Sequence, residues 1–318
     1  MSLSHGDMLL EDLQKYMGSS PCPADFNMFW DKALEEMHAV DPQIELIPGD
    51  FIQVPFAECF DLYYTGVGGA RIHAKYLRPK DTGVRHPAVI KFHGYAWNSG
   101  DWHDKLSYVA MGFCVAAMDC RGQGGLSEDT GSIKGPTLRG HIIRGIDHSP
   151  EKMIFRQIYL DAAQLANIIM NFSEVDEAYV CATGESQGGA LAIACGALEP
   201  RIRKLAPVHP YLSDFKRYWY LDAQDEIREY FRFFDPLHLR EEEIFMRLGY
   251  IDIQNLARRI EGDVLFTTGL LDRVCPPSTQ FAAYNKIKAP KKMLIYHDYA
   301  HEFYPQLNDH IFKFICNL

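Results

Sequence analysis

Along most of this chain, short apolar runs take turns with longer stripes of helical spacing. Residues 88–92, 113–117, 178–182, 204–208, 263–267 and 292–296 are of strand length and largely apolar. Between the first two, residues 104–111 have helical character, residues 188–198 form a small-residue run suited to a buried helix, and residues 305–315 supply a final helix. The clearest helix is predicted over residues 150–172, where Ile154, Ile158, Ala162, Leu165, Ile169 and Phe172 make one stripe, Ser149 is the cap and Pro150 takes the first position. Strand and helix in alternation predict βαβ units and a parallel sheet.

Residues 1–85 follow a different rule. Asp25 is placed to cap a helix whose apolar face is Phe26, Phe29, Trp30, Ala33, Leu34 and Met37. Residues 51–64 and 70–77 then read as two strands joined by Thr65-Gly66-Val67-Gly68-Gly69, an antiparallel hairpin. In the second strand Ile72, Ala74 and Tyr76 alternate with Arg71, His73 and Lys75, which puts His73 on a solvated face. The alternation breaks again at residues 211–250, rich in aromatic and charged side chains, which predicts helices inserted between sheet strands, over the strand ends near the nucleophile, with an ordinary surface packing layer as the alternative. The fold expected is therefore one α/β domain over residues 1–318: a mostly parallel, doubly wound sheet with an N-terminal antiparallel extension and a short helical insertion.

A chain of 318 residues buries about three quarters of its unfolded surface, enough for one large core. A net charge of −10 argues against nucleic acid or an anionic membrane as partner. The eight cysteines have no regular spacing, and Cys114, Cys181, Cys195 and Cys316 sit in apolar patterns, so reduced thiols and a cytoplasmic location are expected. The acidic N-terminal segment, with Asp7, Glu11 and Asp12, has no apolar run suited to a signal peptide or membrane span. No internal repeat is visible.

Candidate chemistry centres on Gly184-Glu185-Ser186-Gln187-Gly188, set between a predicted strand and a predicted helix. A serine at the tip of such a turn needs small neighbours two residues either side, and the helix behind it favours negative charge. Ser186 is thus the candidate nucleophile. Its hydroxyl needs a base, and the base needs a carboxylate. In a doubly wound hydrolase these follow as acid, then histidine, after successive late strands; Asp272 and His301 stand there, with His297 as a competing base. Backbone donors for the oxyanion are assigned to Gln187, just after the nucleophile, and to Tyr95 in His93-Gly94-Tyr95. A zinc-protease reading of His301-Glu302 fails because Pro305 occupies the second ligand position, and His141, Asp147 and His148 lack metal-site spacing. No metal and no cofactor is expected. Trp97, Trp102, Tyr211, Phe215 and Trp219 are candidates for a sugar or leaving-group site, with ordinary core packing as the alternative.

Taken together, Arg121-Gly122-Gln123, Gly184 to Gly189, the run Leu271-Asp272-Arg273-Val274-Cys275-Pro276-Pro277-Ser278-Thr279, and His301-Glu302 resemble the signature set of the acetyl xylan esterase and cephalosporin C deacetylase family. The resemblance extends from Asp25–Trp30 to Phe281-Ala282-Ala283-Tyr284-Asn285 and beyond. It implies an α/β-hydrolase that removes acetyl groups from small substrates, acetylated xylo-oligosaccharides and cephalosporin C, through an acetyl-enzyme and without a metal. It also implies a homo-hexamer, a dimer of trimers with active sites facing an inner cavity, and a supporting role for Arg121, Gly122 and Gln123. The chain departs from relatives at Phe303-Tyr304-Pro305, where glycines are common, and a narrower pocket or a changed preference is expected there. The alternative is a general short-chain carboxylesterase without sugar preference; a peptidase of similar fold and a catalytically silent binding protein are more distant readings.

Overall fold

A computed structural model describes residues 7–80, 83–131, 141–222 and 225–317. Its nine strands are β1 (Glu45–Pro48), β2 (Ala57–Thr65), β3 (Arg71–Pro79), β4 (His86–Phe92), β5 (Cys114–Met118), β6 (Val175–Glu185), β7 (Lys204–Val208), β8 (Asp263–Gly269) and β9 (Lys291–Tyr296). They form one sheet in the order β1-β2-β3-β5-β4-β6-β7-β8-β9. From β1 to β5 the pairing is antiparallel; from β5 to β9 it is parallel.

The apolar runs of the interior parallel strands are largely buried on both faces, where helices cover each side, whereas the edge strand β9 is only partly buried. Ile90, Ala116, Ala182 and Leu205 face the helices Phe26–His38, Ile154–Met170 and Gln187–Leu198, while their neighbours Val89, Val115, Cys181 and Ala206 face Leu106–Ala110 and Leu307–Cys316. Every residue of Gln187–Leu198 is buried, which explains its small, uniformly apolar composition. The segment after β7 carries the helices Phe215–Tyr220, Asp225–Phe234 and Glu241–Leu248, as expected for an insertion; positions 223 and 224 within it lie outside the described residues. No helix among the described residues is long and apolar enough to cross a membrane.

Four expectations are corrected. Asp25 precedes the first long helix but does not cap it with its side chain; Asp25 Oδ1 instead accepts from the Tyr250 hydroxyl at 2.6 Å. The helix predicted from Pro150 is split: a 3₁₀ turn at Pro150–Lys152 ends in extended Met153 (φ −67°, ψ 130°), and the α-helix starts at Ile154, with no cap bond from Ser149. The first hairpin strand starts at Ala57, not at residue 51, and the edge strand β1 was not foreseen because its four residues are mostly exposed and show no apolar pattern.

The fourth correction is His73, which is 1 % exposed. Strand β3 is interior, between β2 and β5, so its polar face is covered as well. His73 Nδ1 meets Asp119 Oδ2 at 2.6 Å and its Nε2 meets Asp61 Oδ1 at 2.9 Å. Burial pushes the imidazole down, but the two carboxylates outweigh it and raise its pKa. For Asp119 burial pushes the carboxyl up, and hydrogen bonds from His73 and from the Leu126 and Ser99 amides hold it at about 2. A buried acid–base group thus stands where alternation alone predicts a wet surface.

Candidate active site

The tip of β6 is the centre of the site. Ser186 has φ 56° and ψ −118°, a conformation disfavoured for residues with a side chain, and it sits directly before the helix Gln187–Leu198. Its amide donates to Val208 O at 3.0 Å, and its carbonyl accepts from the Tyr211 and Ala190 amides. The glycines are required by close approach. A Cβ on Gly188 would come 2.2 Å from Phe92 O, one on Gly184 2.6 Å from Phe92 O and from Gly188 C, and one on Gly189 2.7 Å from Val208 O. The turn is closed because three backbones touch where side chains are absent.

Gln187 is fully buried and forms a reciprocal amide pair with Gln123: Gln123 Nε2 donates to Gln187 Oε1 at 2.7 Å, and Gln187 Nε2 donates to Gln123 Oε1 at 3.1 Å. The same Gln123 Oε1 accepts from the Ala96 amide at 2.9 Å, on the loop after β4 that carries Tyr95. His93 shapes the start of that loop, its Nδ1 donating to Gly94 O at 2.7 Å and its Nε2 accepting from the Cys120 amide at 3.0 Å. Among the described residues neither the Tyr95 nor the Gln187 backbone N–H donates to another group. Arg121 lies beneath, buried, with Nε and Nη2 donating to the two oxygens of buried Asp161 at 2.5 and 2.7 Å and Nη2 also to Val67 O. Burial pushes the Asp161 carboxyl up against the opposing pull of Arg121. Gly122 has φ +62° and its Cβ position lies 3.0 Å from Asp129 Oδ2. Gln123 thus joins the loop after β4 to Gln187, and Arg121 joins Asp161, a partner the sequence did not announce.

Asp272 follows β8 and is buried. Its Oδ1 accepts from the Val274 and Cys275 amides at 2.9 and 2.8 Å; its Oδ2 accepts from His301 Nδ1 at 2.8 Å and from Gln280 Nε2 at 3.4 Å. With Nδ1 donating, His301 keeps Nε2 free to take a proton. The structure brings Asp272 to His301; His297, the competing base, is exposed at the end of β9. The Cys275 thiol is buried, which pushes its pKa up, and the Ser186 hydroxyl makes no hydrogen bond to His301.

His209, at the end of β7, escaped sequence reasoning altogether. Its ring centroid is 4.2 Å from that of His301, and one nitrogen of each ring and an Asp272 oxygen lie within 4.8 Å of one another. The Asp272 lone pairs are already engaged by N–H donors, so the group behaves as a hydrogen-bonded network. Of the candidate aromatics, Phe215 and Tyr211 are core and Trp97 is 65 % exposed. Phe303 is 73 % exposed next to His301-Glu302, Tyr304 is buried against Tyr296, and both line a cavity beside the site. This cavity of about 690 Å³, lined by Trp97, Lys105, Glu185, His209 and Phe303 among others, adjoins the site through the chain neighbours of Ser186 and His301.

Comparison with known proteins gives a consistent picture. The profile of the acetyl xylan esterase (AXE1) family matches residues 3–318. Acetyl xylan esterase 1 from Thermoanaerobacterium sp. JW/SL YS485 is 57 % identical and superposes with a TM-score of 0.96, covering 98 % of this chain and 99 % of that one. Acetyl xylan esterase from Paenibacillus sp. R4 is 34 % identical with a TM-score of 0.93, covering 97 % and 99 %. The acetyl esterase Axe7A of Xylanibacter ruminicola is 27 % identical over 281 residues, 86 % of this chain, which spans 62 % of that curated relative's length.

Proposed function

Because the chain belongs to the acetyl xylan esterase family, we propose that it is a serine carboxylic ester hydrolase that removes acetyl groups from small acetylated substrates. The observation that carries this reading is the 2.8 Å contact between His301 Nδ1 and Asp272 Oδ2, on the loops that follow β9 and β8. In the proposed reaction Ser186 turns to His301 Nε2, loses its proton to that nitrogen and attacks the acetyl carbonyl. The oxyanion rests on the Tyr95 and Gln187 amides, each of which contributes on the order of 3 kcal/mol in such sites. His301 then protonates the leaving alcohol, and water repeats the sequence on the acetyl-enzyme. Acetylated xylo-oligosaccharides and cephalosporin C are the substrates proposed, with Arg121, Gly122 and Gln123 holding the donors in place. Eight free thiols support a cytoplasmic location, and the family resemblance supports a hexamer.

The test is hydrolysis of acetylated xylo-oligosaccharides, cephalosporin C and nitrophenyl esters of increasing acyl length by the wild type and Ser186→Ala. Acetyl preference in the wild type and no turnover by Ser186→Ala are expected. Equal rates on butyryl and longer esters overturn the acetyl preference in favour of a general short-chain esterase, and an active Ser186→Ala overturns the mechanism. Sedimentation of the purified protein tests the hexamer.

A further inference from the structure

The catalytic histidine stands on a loop, and a loop histidine needs something besides its carboxylate to fix the plane of its ring. Asp272 fixes one edge of His301 at Nδ1. It leaves the ring free to swing about that bond.

A second set of contacts acts on the face of the ring. The Tyr304 hydroxyl lies 2.9 Å from Ala300 O and 3.0 Å from His209 Nδ1. A carbonyl only accepts, so the single phenolic proton goes to Ala300, and His209 Nδ1 must carry the proton that it shares with Tyr304. The result is a directed chain: His209 Nδ1–H to Tyr304 Oη, and Tyr304 O–H to the carbonyl of the residue just before His301. Each link is anchored. Tyr304 is fully buried, stacked on Tyr296 at 4.6 Å and 15°. The loop packs so closely on Gly269 that a Cβ there would come 2.6 Å from Tyr304 Oη and 2.8 Å from Ala300 O. The His209 amide donates to Thr267 O at 2.8 Å, and its backbone is held at a φ of 30°, outside the favoured regions for a residue with a side chain. Its ring lies edge-to-face against Tyr304 at 5.2 Å and tilts 41° over His301. Burial and, after it, the neighbouring His301 push His209 down to about 3, so it stays neutral and its tautomer stays fixed.

We propose that His209 and Tyr304 form a positioning pair that orients His301: the ring of His209 backs its face, and the hydrogen-bonded chain through Tyr304 pins the backbone at Ala300. Neither residue touches the reacting atoms. The proposal rests on the reading of Ser186, His301 and Asp272 given above and adds to it how the base is held.

The experiment compares wild type, Tyr304→Phe, His209→Phe, the double variant and His209→Asn, with Ser186→Ala as control. It measures kcat and KM on nitrophenyl acetate, the rate of covalent labelling by a serine-directed phosphonate, and thermal unfolding. Misplacing a base by a fraction of an ångström costs roughly 10- to 100-fold. Each single Phe variant is expected to lose about that factor in kcat and in labelling rate, with KM unchanged. The double variant is expected to be no slower than the slower single one, because one chain is broken once. His209→Asn is expected to recover most of the loss: its amide offers an N–H near the place of Nδ1–H, and Asn accepts positive φ. Tyr304→Phe removes only one oxygen and keeps the test readable if His209→Phe folds poorly. Wild-type rates in Tyr304→Phe, losses that multiply in the double variant, or a His209→Asn as slow as His209→Phe overturn the proposal while Ser186→Ala remains inactive. Retained activity or retained labelling in Ser186→Ala overturns the underlying triad instead.

Discussion

The two halves of the candidate site are held by different means. At the Ser186 turn the backbone does the holding: Gly184, Gly188 and Gly189 let Phe92, Val208 and the elbow helix approach to distances that any Cβ would forbid. At the acid–base half a close approach at Gly269 and a His209 backbone at positive φ contribute, but most of the holding is done by side chains: Asp272 to His301, Gln280 to Asp272, His209 to Tyr304. Backbone holding forces residue types at fixed spacing. Side-chain holding works across long sequence separations and forces none.

Breaking each half should therefore have a different signature. The largest effect expected is that of Asp272→Asn, which keeps shape but removes the carboxylate that sets the His301 tautomer; comparable substitutions in serine hydrolases cost on the order of 10⁴ in kcat. Circular dichroism and unfolding temperature should barely move. A variant that unfolds early would place Asp272 among the structural acids. Next is Gly188→Ala, whose methyl would meet Phe92 O. It should lower stability by about 1–3 kcal/mol or more and lose activity with it, because the turn is both scaffold and site. Urea denaturation monitored alongside esterase assays separates the two, and a stable but inactive protein would contradict the backbone account.

The smallest effect lies outside both halves, at His73 and Asp119. Asp119 is held at about 2 in the folded protein, below the usual 3.8, so its contribution to stability is complete above about pH 4 and is lost as pH falls through the folded value. The amount is about 2 kcal/mol. Acid unfolding of Asp119→Asn should show a shallower loss between pH 4 and 2 than the wild type; an unchanged slope would mean the carboxylate is satisfied equally in the unfolded chain.

The same division explains what was legible in the sequence. Ser186, Asp272 and His301 were legible as candidates because strand, turn and order along the chain constrain them, and Gln187 followed from Ser186. The interior parallel strands could be read because burial on both faces favours apolar residues. His73 was misread because alternation reports side-chain direction and not what covers that side; the sequence carries no mark that Asp61 and Asp119 would close over it. Strand β1 was missed because an exposed edge needs no apolar residues. His209 was missed for the same reason as His73: it follows an apolar strand, ahead of a proline, and only the fold brings it beneath a histidine 92 positions later.

One amide side chain has a wider reach than its modest place in the fold suggests. Gln123 grips the Ala96 amide with the same oxygen that grips the Gln187 side chain, so the two segments proposed to supply the oxyanion donors, far apart in sequence, share a single mooring. On that proposal they do not drift independently. Whatever shifts one shifts the other, and the site should lose or regain its grip on a developing negative charge as a unit, like a clasp with one pin and not two separate hooks.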